Sequence, residues 1–224
     1  MTSRRQARLR GLYAVTPRLV DTQVLCSRVE RCLAGGAALV QYRAKDIDAA
    51  LALEQARRIA AQCRDAGALF IVNDSIELAR ASGADGVHLG RDDAGVAHAR
   101  RELPDAIVGA SCYDEPHRAR DAAADGADYV AIGSVYPSPT KPAARRASLA
   151  QIAEAARLSG LPVAAIGGID LGNAAHVRDA GADMLAVISA VFDAPDIETA
   201  ARGFALLYPE AARKADARAQ PRPL

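Results

Sequence analysis

A short stretch that follows an apolar segment places polar side chains at every second position. Gln41, Arg43 and Lys45 are spaced by two, so a β-strand would put all three on one side. Arginine offers planar paired donors and lysine a mobile point charge, which together match a diphosphate group. The alternative is a solvated charged face, but a strand covered by helices has no such face along its length. We therefore interpret the stretch as an anion-binding strand end.

Carboxylates follow two other apolar segments at the same relative place. Asn73 and Asp74 come directly after one segment, and Asp93 ends the stretch that begins at His88. Either acidic position alone could be the N-cap of the next helix. Together they predict a Mg²⁺ site, because one or two carboxylates plus substrate phosphates usually hold that ion. A zinc or iron site is not predicted, since no ligand spacing connects the histidines, which are His88, His98, His117 and His176.

Hydroxyl groups supply further candidate contacts to phosphate. Ser111 follows another apolar segment and lacks a basic partner at motif spacing, so we interpret it as a hydrogen-bond donor rather than an acyl-transfer nucleophile. Residues 136–142 form a proline-rich connection that presents Ser138, Thr140 and Lys141. Long connections in compact domains are commonly binding segments, although a stiff surface turn is the alternative.

Two later strand ends have the composition of a backbone phosphate site. Gly167 and Gly168 follow one apolar run, and Ile188 and Ser189 follow the next. Backbone N–H groups and a helix N-terminus at such positions bind phosphate in many barrels. Tight turns with positive φ would explain the glycines but not their position after these two strands.

The elements that must position these residues are repeated units of helix and strand. A short motif, in which glycine and alanine end a helix and lead into an apolar strand, occurs five times, at Gly36, Gly67, Gly83, Gly126 and Gly181. Three further apolar runs, at 12–15, 107–110 and 163–166, bring the predicted strands to eight. Alanine-rich segments with helical spacing lie between them, at 49–66, 115–124, 149–158, 173–180 and 197–207.

This alternation predicts an α/β fold, and specifically a single (β/α)8 TIM barrel. The strands are short and almost continuously apolar, as expected of parallel strands that helices cover on the outside. A doubly wound open sheet is the alternative. It is less favoured because the repeats are evenly distributed and no Gly-x-Gly-x-x-Gly follows the first strand. In a barrel all the residues above belong at the carboxyl ends of the strands.

Composition limits the classes of partner and the number of domains. The chain has 224 residues, 50% of them hydrophobic, which is enough for one domain with a full core. We divide it into a polar arm at 1–10, a catalytic barrel at 11–212 and a tail at 213–224 that we expect to be disordered. A formal net charge of +1 and the absence of a long apolar run predict neither nucleic acid nor a membrane as partner.

The cysteines indicate the compartment. Cys26, Cys32, Cys63 and Cys112 form no Cys-x-x-Cys pair, so we expect buried thiols and a reducing cytoplasm. The sequence leaves the oligomeric state open, with a homo-oligomer among the alternatives.

Taken in chain order, these strand ends resemble the thiamine phosphate synthase family from about residue 12 to residue 207. The matching motifs are Gln-x-Arg-x-Lys, Asn-Asp, His-x-Gly-x-Asp-Asp, a serine after strand 5, hydroxyl-x-Thr-Lys, Ile-Gly-Gly-Ile and a serine after strand 8. In this chain they are residues 41–45, 73–74, 88–93, 111, 138–141, 166–169 and 189. Their joint order, rather than any single motif, is diagnostic.

The resemblance implies a transferase with two small phosphorylated heterocycles as substrates. One is an aminopyrimidine that carries a diphosphooxymethyl group, and the other is a methylthiazole that carries a phosphooxyethyl group. Their condensation would release pyrophosphate and give thiamine phosphate. In the family's mechanism, carbon–oxygen cleavage precedes attack and leaves a pyrimidine-stabilised cation. We therefore expect no covalent enzyme intermediate.

The resemblance also implies a role for each matching residue. Mg²⁺ would be the cofactor, held by Asp74 and Asp93. The pyrimidine diphosphate would contact Gln41, Arg43, Lys45, Asn73, Ser111 and Lys141. The thiazole phosphate would contact Ser138, Thr140, Gly168, Ile188 and Ser189. Catalysis would fall to Arg43, Ser111 and Lys141.

The chain departs from the family pattern at three positions. Tyr42 stands where leucine is frequent, and we expect its side chain to face the helices. Ser138 replaces a frequent threonine and keeps the hydroxyl group. Arg91 stands where glutamine often precedes the acidic pair, which adds a cation that could pair with Asp92 instead of substrate.

Three rival functions remain open at this stage. A thiazole tautomerase of the same superfamily would bind the thiazole phosphate without coupling it, but would not need the diphosphate-binding residues. A non-catalytic thiamine phosphate sensor would need an interaction surface. An unrelated phosphate-binding barrel isomerase would need an acid and a base facing its substrate.

Overall fold

A closed barrel of parallel strands forms the centre of the protein. The computed structural model describes residues 8–137 and 145–209, and within them eight strands pair in chain order, with β8 closing onto β1. The strands are β1 (Gly11–Val15), β2 (Leu39–Tyr42), β3 (Leu69–Asn73), β4 (Gly86–Leu89), β5 (Ile107–Tyr113), β6 (Tyr129–Gly133), β7 (Val163–Ile166) and β8 (Met184–Val187). The predicted (β/α)8 barrel is therefore confirmed, and the open sheet is wrong.

Helices follow the strands and cover the outside of the barrel. They are α1 (Thr22–Ala34), α2 (Ala49–Asp65), α3 (Ile76–Ser82), α4 (Val96–Glu102), α5 (His117–Ala124), α6 (Leu149–Ser159), α7 (Ala174–Asp179), α8 (Ser189–Phe192) and α9 (Ile197–Ala205). Side chains of Asp21, Asp48 and Asp196 accept backbone N–H groups at the starts of α1, α2 and α9. In the described ranges, every helix is too short or too polar to cross a bilayer.

The two-residue period of the strands divides the core into two layers. Tyr13 and Val15 point into the barrel with Leu39, Ile71 and Tyr129. The alternate residues, among them Leu12, Ala14, Val40 and Tyr42, pack against the helices. Tyr42 faces the helices as predicted, and its hydroxyl donates to Gln55 Oε1 on α2 at 2.7 Å. Successive residues of each strand therefore alternate between the barrel interior, which leads to the mouth, and the layer that packs against the helices.

An aspartate recurs at the amino ends of three of the four even-numbered strands, opposite the mouth. Asp85, Asp128 and Asp183 stand immediately before β4, β6 and β8. Each carboxylate accepts a hydrogen bond from a backbone N–H of the preceding odd-numbered strand. The donors are Phe70, Val108 and Val163, at 2.8, 2.9 and 3.1 Å. The aspartate of the repeated Gly-Ala-Asp motif thus makes a contact between paired strands at the amino-terminal end of the barrel.

Two strand boundaries differ from the sequence-based expectation. Strand β5 continues beyond 110 to Tyr113, and its register against β6 shifts between Ser111 and Tyr113. The extra residue, Cys112, turns outward into the helix-facing core, while Ser111 lines the mouth. Strand β2 ends at Tyr42, so Arg43 and Lys45 extend beyond the sheet at the mouth instead of continuing the strand.

Candidate active site

Two adjoining cavities open at the carboxyl ends of the strands. One has a volume of about 730 Å³ and lies over β2 to β5. The other, of about 650 Å³, occupies the centre of the mouth and reaches β6, β7 and β8. Residues that line both include Arg43, Asn73, His88, Arg91, Ser111 and Tyr113. The two cavities therefore meet along a shared wall, where groups bound on either side would be brought together.

The cations after β2 are held in place through their backbone. The Arg43 N–H donates to the Thr16 hydroxyl at 3.1 Å. The Arg18 guanidinium donates to the carbonyl oxygens of Lys45 and Asp46 at 3.1 and 3.0 Å. Arg43 and Lys45 line the larger cavity, so the sequence-based pairing of these two side chains is found in space. Sequence reasoning missed Arg18, which lies in a connection after β1 with no motif around it.

The carboxylates after β3 and β4 line the same cavity as these cations. Asp74 has a left-handed backbone with φ +66°, and its N–H donates to the His88 carbonyl at 2.8 Å. Asp93 Oδ2 accepts the Gly90 N–H at 2.5 Å. The N-caps of α3 and α4 are Ser75 and Gly95, so the alternative that either aspartate caps the next helix is wrong.

The donor set matches a lightly coordinated hard cation. Among the described residues, no three or more His, Cys, Asp or Glu side chains converge as a metal cage. Asp74 and Asp93 nevertheless face one cavity, with Arg43 and Lys45 on its wall. Mg²⁺ takes such sites, because it keeps several waters and is completed by substrate phosphates. The carboxylates present are therefore compatible with Mg²⁺ delivered together with an anionic substrate.

Arg91 is engaged by groups other than those expected. Its guanidinium forms an ion pair with Glu115 and lies over the Tyr113 ring, 4.9 Å from the centroid. Its N–H also donates to the Tyr113 hydroxyl at 3.0 Å. The proposed pairing with Asp92 is wrong, because the extension of β5 brings Tyr113 and Glu115 beside the loop that carries Arg91.

A chain of hydrogen bonds crosses the barrel at the floor of the central cavity. Gln41 Nε2 donates to the Tyr13 hydroxyl at 2.7 Å, and the Tyr13 and Tyr129 hydroxyls are 2.7 Å apart. His88 Nδ1 lies 3.0 Å from the Tyr129 hydroxyl, and His88 Nε2 lies 2.9 Å from Ser111 Oγ. This chain connects two candidate substrate-binding residues, Gln41 and Ser111, through side chains from three other strands.

The two tyrosines in this chain were missed at the sequence level. Tyr13 and Tyr129 are 1% and 0% exposed, and burial raises the pKa of both hydroxyls well above the ordinary range. Both therefore stay protonated and act as hydrogen-bonding groups. The available signal was a polar-tipped side chain within β1 and another within β6, but nothing in the sequence pairs residues 116 positions apart.

Glycines at the end of β7 allow a close approach of the chain that leaves β6. Gly167 and Gly168 have φ +105° and +60°. A Cβ at Gly167 would lie 2.1 Å from Ser134 Oγ, and one at Gly168 would lie 2.2 Å from the Pro137 carbonyl oxygen. Tight turns alone therefore do not account for these glycines, because both also make room for the neighbouring segment.

The second half of the mouth is completed by the end of β8. Gly168, Ile188 and Ser189 line the central cavity, and Ser189 is the first residue of the short helix α8. The candidate residues Ser138, Thr140 and Lys141 lie outside the described residues. Pro137 directly precedes them and lies beside Gly168.

Comparisons with known proteins concern nearly the whole barrel. Residues 12–191 match a family model described as thiamine monophosphate synthase. A thiamine-phosphate synthase from Aromatoleum aromaticum is 57% identical over 202 residues, which are 90% of this chain and 97% of that protein. Another from Thiobacillus denitrificans is 57% identical over 192 residues, covering 85% of this chain and 91% of the relative.

Solved structures give a consistent result. Thiamine phosphate pyrophosphorylase from Pyrococcus furiosus superposes with a TM-score of 0.83 at 35% identity, covering 91% of this chain and 98% of the other. A 3-hexulose-6-phosphate synthase superposes with a TM-score of 0.66 at 18% identity, covering 87% of this chain and 98% of the other. The latter shows a shared fold alone.

Proposed function

The chain belongs to the thiamine monophosphate synthase family, and we propose that its barrel mouth couples a pyrimidine diphosphate to a thiazole phosphate. The pyrimidine would carry its diphosphate on an exocyclic methylene group, and the thiazole would carry a phosphooxyethyl chain. The products are thiamine phosphate and pyrophosphate. The enzyme is thus a transferase that forms a carbon–nitrogen bond.

One observation carries the proposal, namely that two cavities of different composition share a wall. The larger cavity contains Arg43, Lys45, Asp74 and Asp93, which are the groups that a diphosphate with Mg²⁺ requires. The central cavity contains the glycine turn after β7 and the end of β8, where a monophosphate binds in many barrels. A coupling enzyme needs both halves, whereas a thiazole tautomerase needs the second half alone.

The diphosphate half consists of residues from strands β2 to β5 and one from the connection after β6. Arg43 and Lys45 supply positive charge, and Gln41, Asn73 and Ser111 supply hydrogen bonds. Lys141, outside the described residues, would add a further cation. As the carbon–oxygen bond breaks, negative charge grows on the diphosphate, so donors aimed at it stabilise the transition state more than the bound substrate. We therefore assign catalysis to Arg43, Ser111 and Lys141.

Asp74 and Asp93 would hold Mg²⁺ in this half. The ion would neutralise the departing diphosphate and thereby make it a better leaving group. The protein's own contribution is the position of the two carboxylates. The left-handed backbone fixes Asp74, and the Gly90 N–H fixes Asp93.

The thiazole half would hold its phosphate at the other side of the mouth. Gly168, Ile188 and Ser189 would offer backbone N–H groups and a hydroxyl, and Ser138 and Thr140 would add hydroxyls from the segment after Pro137. With its phosphate held there, the thiazole would present its ring nitrogen to the shared wall of the two cavities. There its lone pair can reach the carbon that has lost the diphosphate.

The reaction would proceed by dissociation and capture. The carbon–oxygen bond breaks with its electron pair leaving on pyrophosphate, and the pyrimidine ring stabilises the methylene cation. The thiazole nitrogen then donates its lone pair to form the new carbon–nitrogen bond. The protein holds the two partners and stabilises the leaving group, so no covalent bond to the enzyme is required.

A coupling assay with the purified protein tests the proposal. We expect thiamine phosphate and pyrophosphate to form from the two substrates with Mg²⁺, and formation to stop when EDTA is added and resume when Mg²⁺ is restored. Isomerisation of the thiazole phosphate without coupling would instead identify a tautomerase. Binding of thiamine phosphate with neither reaction would identify a sensor.

The proposed metal role is tested separately by Asp93→Ala. We expect the coupling rate to fall by about 100-fold or more, because a leaving-group stabiliser is removed. Circular dichroism and thermal unfolding should remain close to those of the unchanged protein, since Asp93 lies in a loop at the mouth. Asp121→Ala, on the exposed surface of α5, is the matched control. Retained activity in Asp93→Ala would refute the metal role.

We further propose the domain limits and the compartment expected from the sequence. The arm at 1–10, the barrel at 11–212 and the tail at 213–224 remain a proposal, as does a reducing cytoplasm. The four cysteines, all buried free thiols, support the latter.

A further inference from the structure

The hydrogen-bond chain from Gln41 to Ser111 has a direction that can be worked out by counting protons. An amide nitrogen only donates, so the Tyr13 oxygen accepts from Gln41 Nε2 at 2.7 Å. In the described part of the chain, the one other partner of the Tyr13 hydroxyl is the Tyr129 hydroxyl, at 2.7 Å. The Tyr13 proton must therefore point to Tyr129. Otherwise a fully buried O–H group would have no acceptor, at a cost of about 1–3 kcal/mol.

The same argument continues through the histidine. The Tyr129 oxygen now accepts from Tyr13, and its own proton is left to point to His88 Nδ1, 3.0 Å away. A neutral imidazole that accepts at Nδ1 carries its proton on Nε2. His88 Nε2–H then donates to Ser111 Oγ at 2.9 Å, and the Ser111 proton is turned away from His88 toward the mouth.

We propose that Tyr129 and His88 are positioning residues, which orient the Ser111 hydroxyl so that it donates to the leaving diphosphate. Tyr129 is 0% exposed and is absent from the described residues that line the two cavities, so any effect it has on the reaction passes through its neighbours. The high pKa of the Tyr13 and Tyr129 hydroxyls keeps one proton on each oxygen, as the chain requires. This inference rests on the proposed function, because it assigns Ser111 to the diphosphate.

The opposite direction would have an opposite effect on substrate. If His88 carried its proton on Nδ1, it would donate to Tyr129, and Nε2 would accept the Ser111 proton. Ser111 would then present lone pairs to an anionic leaving group, which repels them. The direction set at Gln41 therefore decides whether Ser111 helps or opposes departure of the diphosphate.

The tautomer of His88 can be measured without any assay of activity. In ¹⁵N NMR spectra of the intact protein, the chemical shifts of the ring nitrogens distinguish a protonated nitrogen from an unprotonated one. Signals missing from His88→Gln identify those of His88. We expect Nε2 to be protonated and Nδ1 unprotonated at neutral pH. A proton on Nδ1 would overturn the proposal, whether or not the protein couples the two substrates.

The effect on catalysis is measured by a double-mutant cycle of Tyr129→Phe and Ser111→Ala. We expect Ser111→Ala to lower kcat by about 100-fold, as for loss of one transition-state donor. Tyr129→Phe should lower kcat by about 10-fold, as for loss of an outer partner, with KM for the pyrimidine diphosphate within about 2-fold. In the Ser111→Ala background, Tyr129→Phe should have almost no effect, because nothing remains to be oriented.

A control variant separates orientation from packing. Tyr208→Phe also removes a buried hydroxyl, which donates to the Ala182 carbonyl at 2.9 Å near the amino end of β8. It should leave kcat within about 2-fold, since no described contact connects it to the mouth. If Tyr129→Phe lowers kcat equally with and without the Ser111 hydroxyl, Tyr129 acts by packing and the proposal is wrong. If the unchanged protein forms no thiamine phosphate, the proposed function fails while the NMR result still decides the direction of the chain.

Discussion

Arg91 illustrates how the charge of a single residue at the mouth can be engaged by other groups of the protein. Its guanidinium is held by Glu115 on one side and by the face of Tyr113 on the other. The pair is partly solvated, since 48% of the Arg91 side chain and 28% of the Glu115 side chain are exposed. An ion pair of this kind contributes about 0.5 kcal/mol, so its loss should have little effect on stability.

The first prediction follows from this arrangement. Arg91→Gln should change kcat/KM for the pyrimidine diphosphate by less than about 5-fold, which corresponds to about 1 kcal/mol. Arg43→Gln is the matched comparison, and it should reduce kcat/KM by about 100-fold because the proposed function places the Arg43 charge against the departing diphosphate. Steady-state kinetics of both variants measure these changes in kcat/KM. A loss of 100-fold in Arg91→Gln would show that the guanidinium leaves Glu115 to bind substrate.

The polar residues of the mouth differ in how far the sequence predicted them. Asn73 ends its strand, and Arg43 and Asp74 follow theirs directly. The barrel topology brings successive strand ends together, so the convergence of these residues was predictable. Tyr13 and Tyr129 were not, because their relevance depends on which inward-facing side chains meet across the barrel. That depends on strand tilt and stagger, which no local pattern encodes.

At the scale of the elements, the Gly-Ala-Asp motif explains how the starts of three strands are aligned with the strand before each of them. The aspartate side chain and its own N–H both bond the backbone of one residue on the preceding strand. This double contact fixes the register of an even-numbered strand against an odd-numbered one. Of the three aspartates, Asp128 has the strongest contacts, since its Oδ2 also accepts from Arg100 at 2.6 Å and only 8% of its side chain is exposed.

The second prediction compares two copies of this contact. Asp128→Ala leaves the Val108 N–H without its side-chain acceptor and removes the carboxylate that pairs with the Arg100 guanidinium, so it should lower the free energy of unfolding by about 3 kcal/mol. The guanidinium keeps backbone carbonyl acceptors, among them that of Gly126 at 2.8 Å, but loses its buried partner of opposite charge. Asp183→Ala should cost about 1 kcal/mol, because its side chain is 34% exposed and its ion pair with Arg10 is 3.9 Å long. Urea denaturation of both variants measures the difference. Equal losses would contradict the role of burial.

The elements themselves were predicted well where their pattern was local and less well where it was not. The glycine-alanine motifs marked the helix-to-strand junctions. The strand that begins at Ile107 was predicted, but its extension to Tyr113 was not. A bulge inserts one residue and breaks the two-residue period, so the segment after Ser111 no longer looks like a strand. This extension places the Tyr113 hydroxyl against the loop of Arg91, whose N–H donates to it.

At the scale of the whole molecule, the closed barrel separates stability from chemistry. The amino ends of the strands contain the register-fixing aspartates, and the carboxyl ends contain the two cavities. Between them lies a core of apolar side chains, which the Gln41 to Ser111 chain of hydrogen bonds crosses. Because every hydroxyl in that chain has a partner, it can be kept there at little cost.

The third prediction concerns weak acids that are buried in the core layer between the strands and the helices. Burial raises the pKa of the Cys32 and Cys112 thiols from about 9 to about 12, and that of the Tyr42 hydroxyl from about 10 to about 12. In the unfolded chain these groups regain their ordinary values. The folded state then binds more protons than the unfolded state above about pH 9, so stability falls as pH rises.

The loss should be large enough to measure. Each such thiol removes about 1 kcal/mol between pH 9 and pH 10, and more up to about pH 12, from a total stability of about 5–15 kcal/mol. Urea unfolding should therefore show a marked decrease from pH 8 to pH 10, by about 1–2 kcal/mol per thiol. Cys32→Ala leaves a cavity and therefore lowers stability at both pH values. The fall in its free energy of unfolding from pH 8 to pH 10 should, however, be smaller than that of the unchanged protein by the contribution of one thiol. A pH dependence identical to that of the unchanged protein would mean that Cys32 ionises without unfolding, and that the core around α1 admits water.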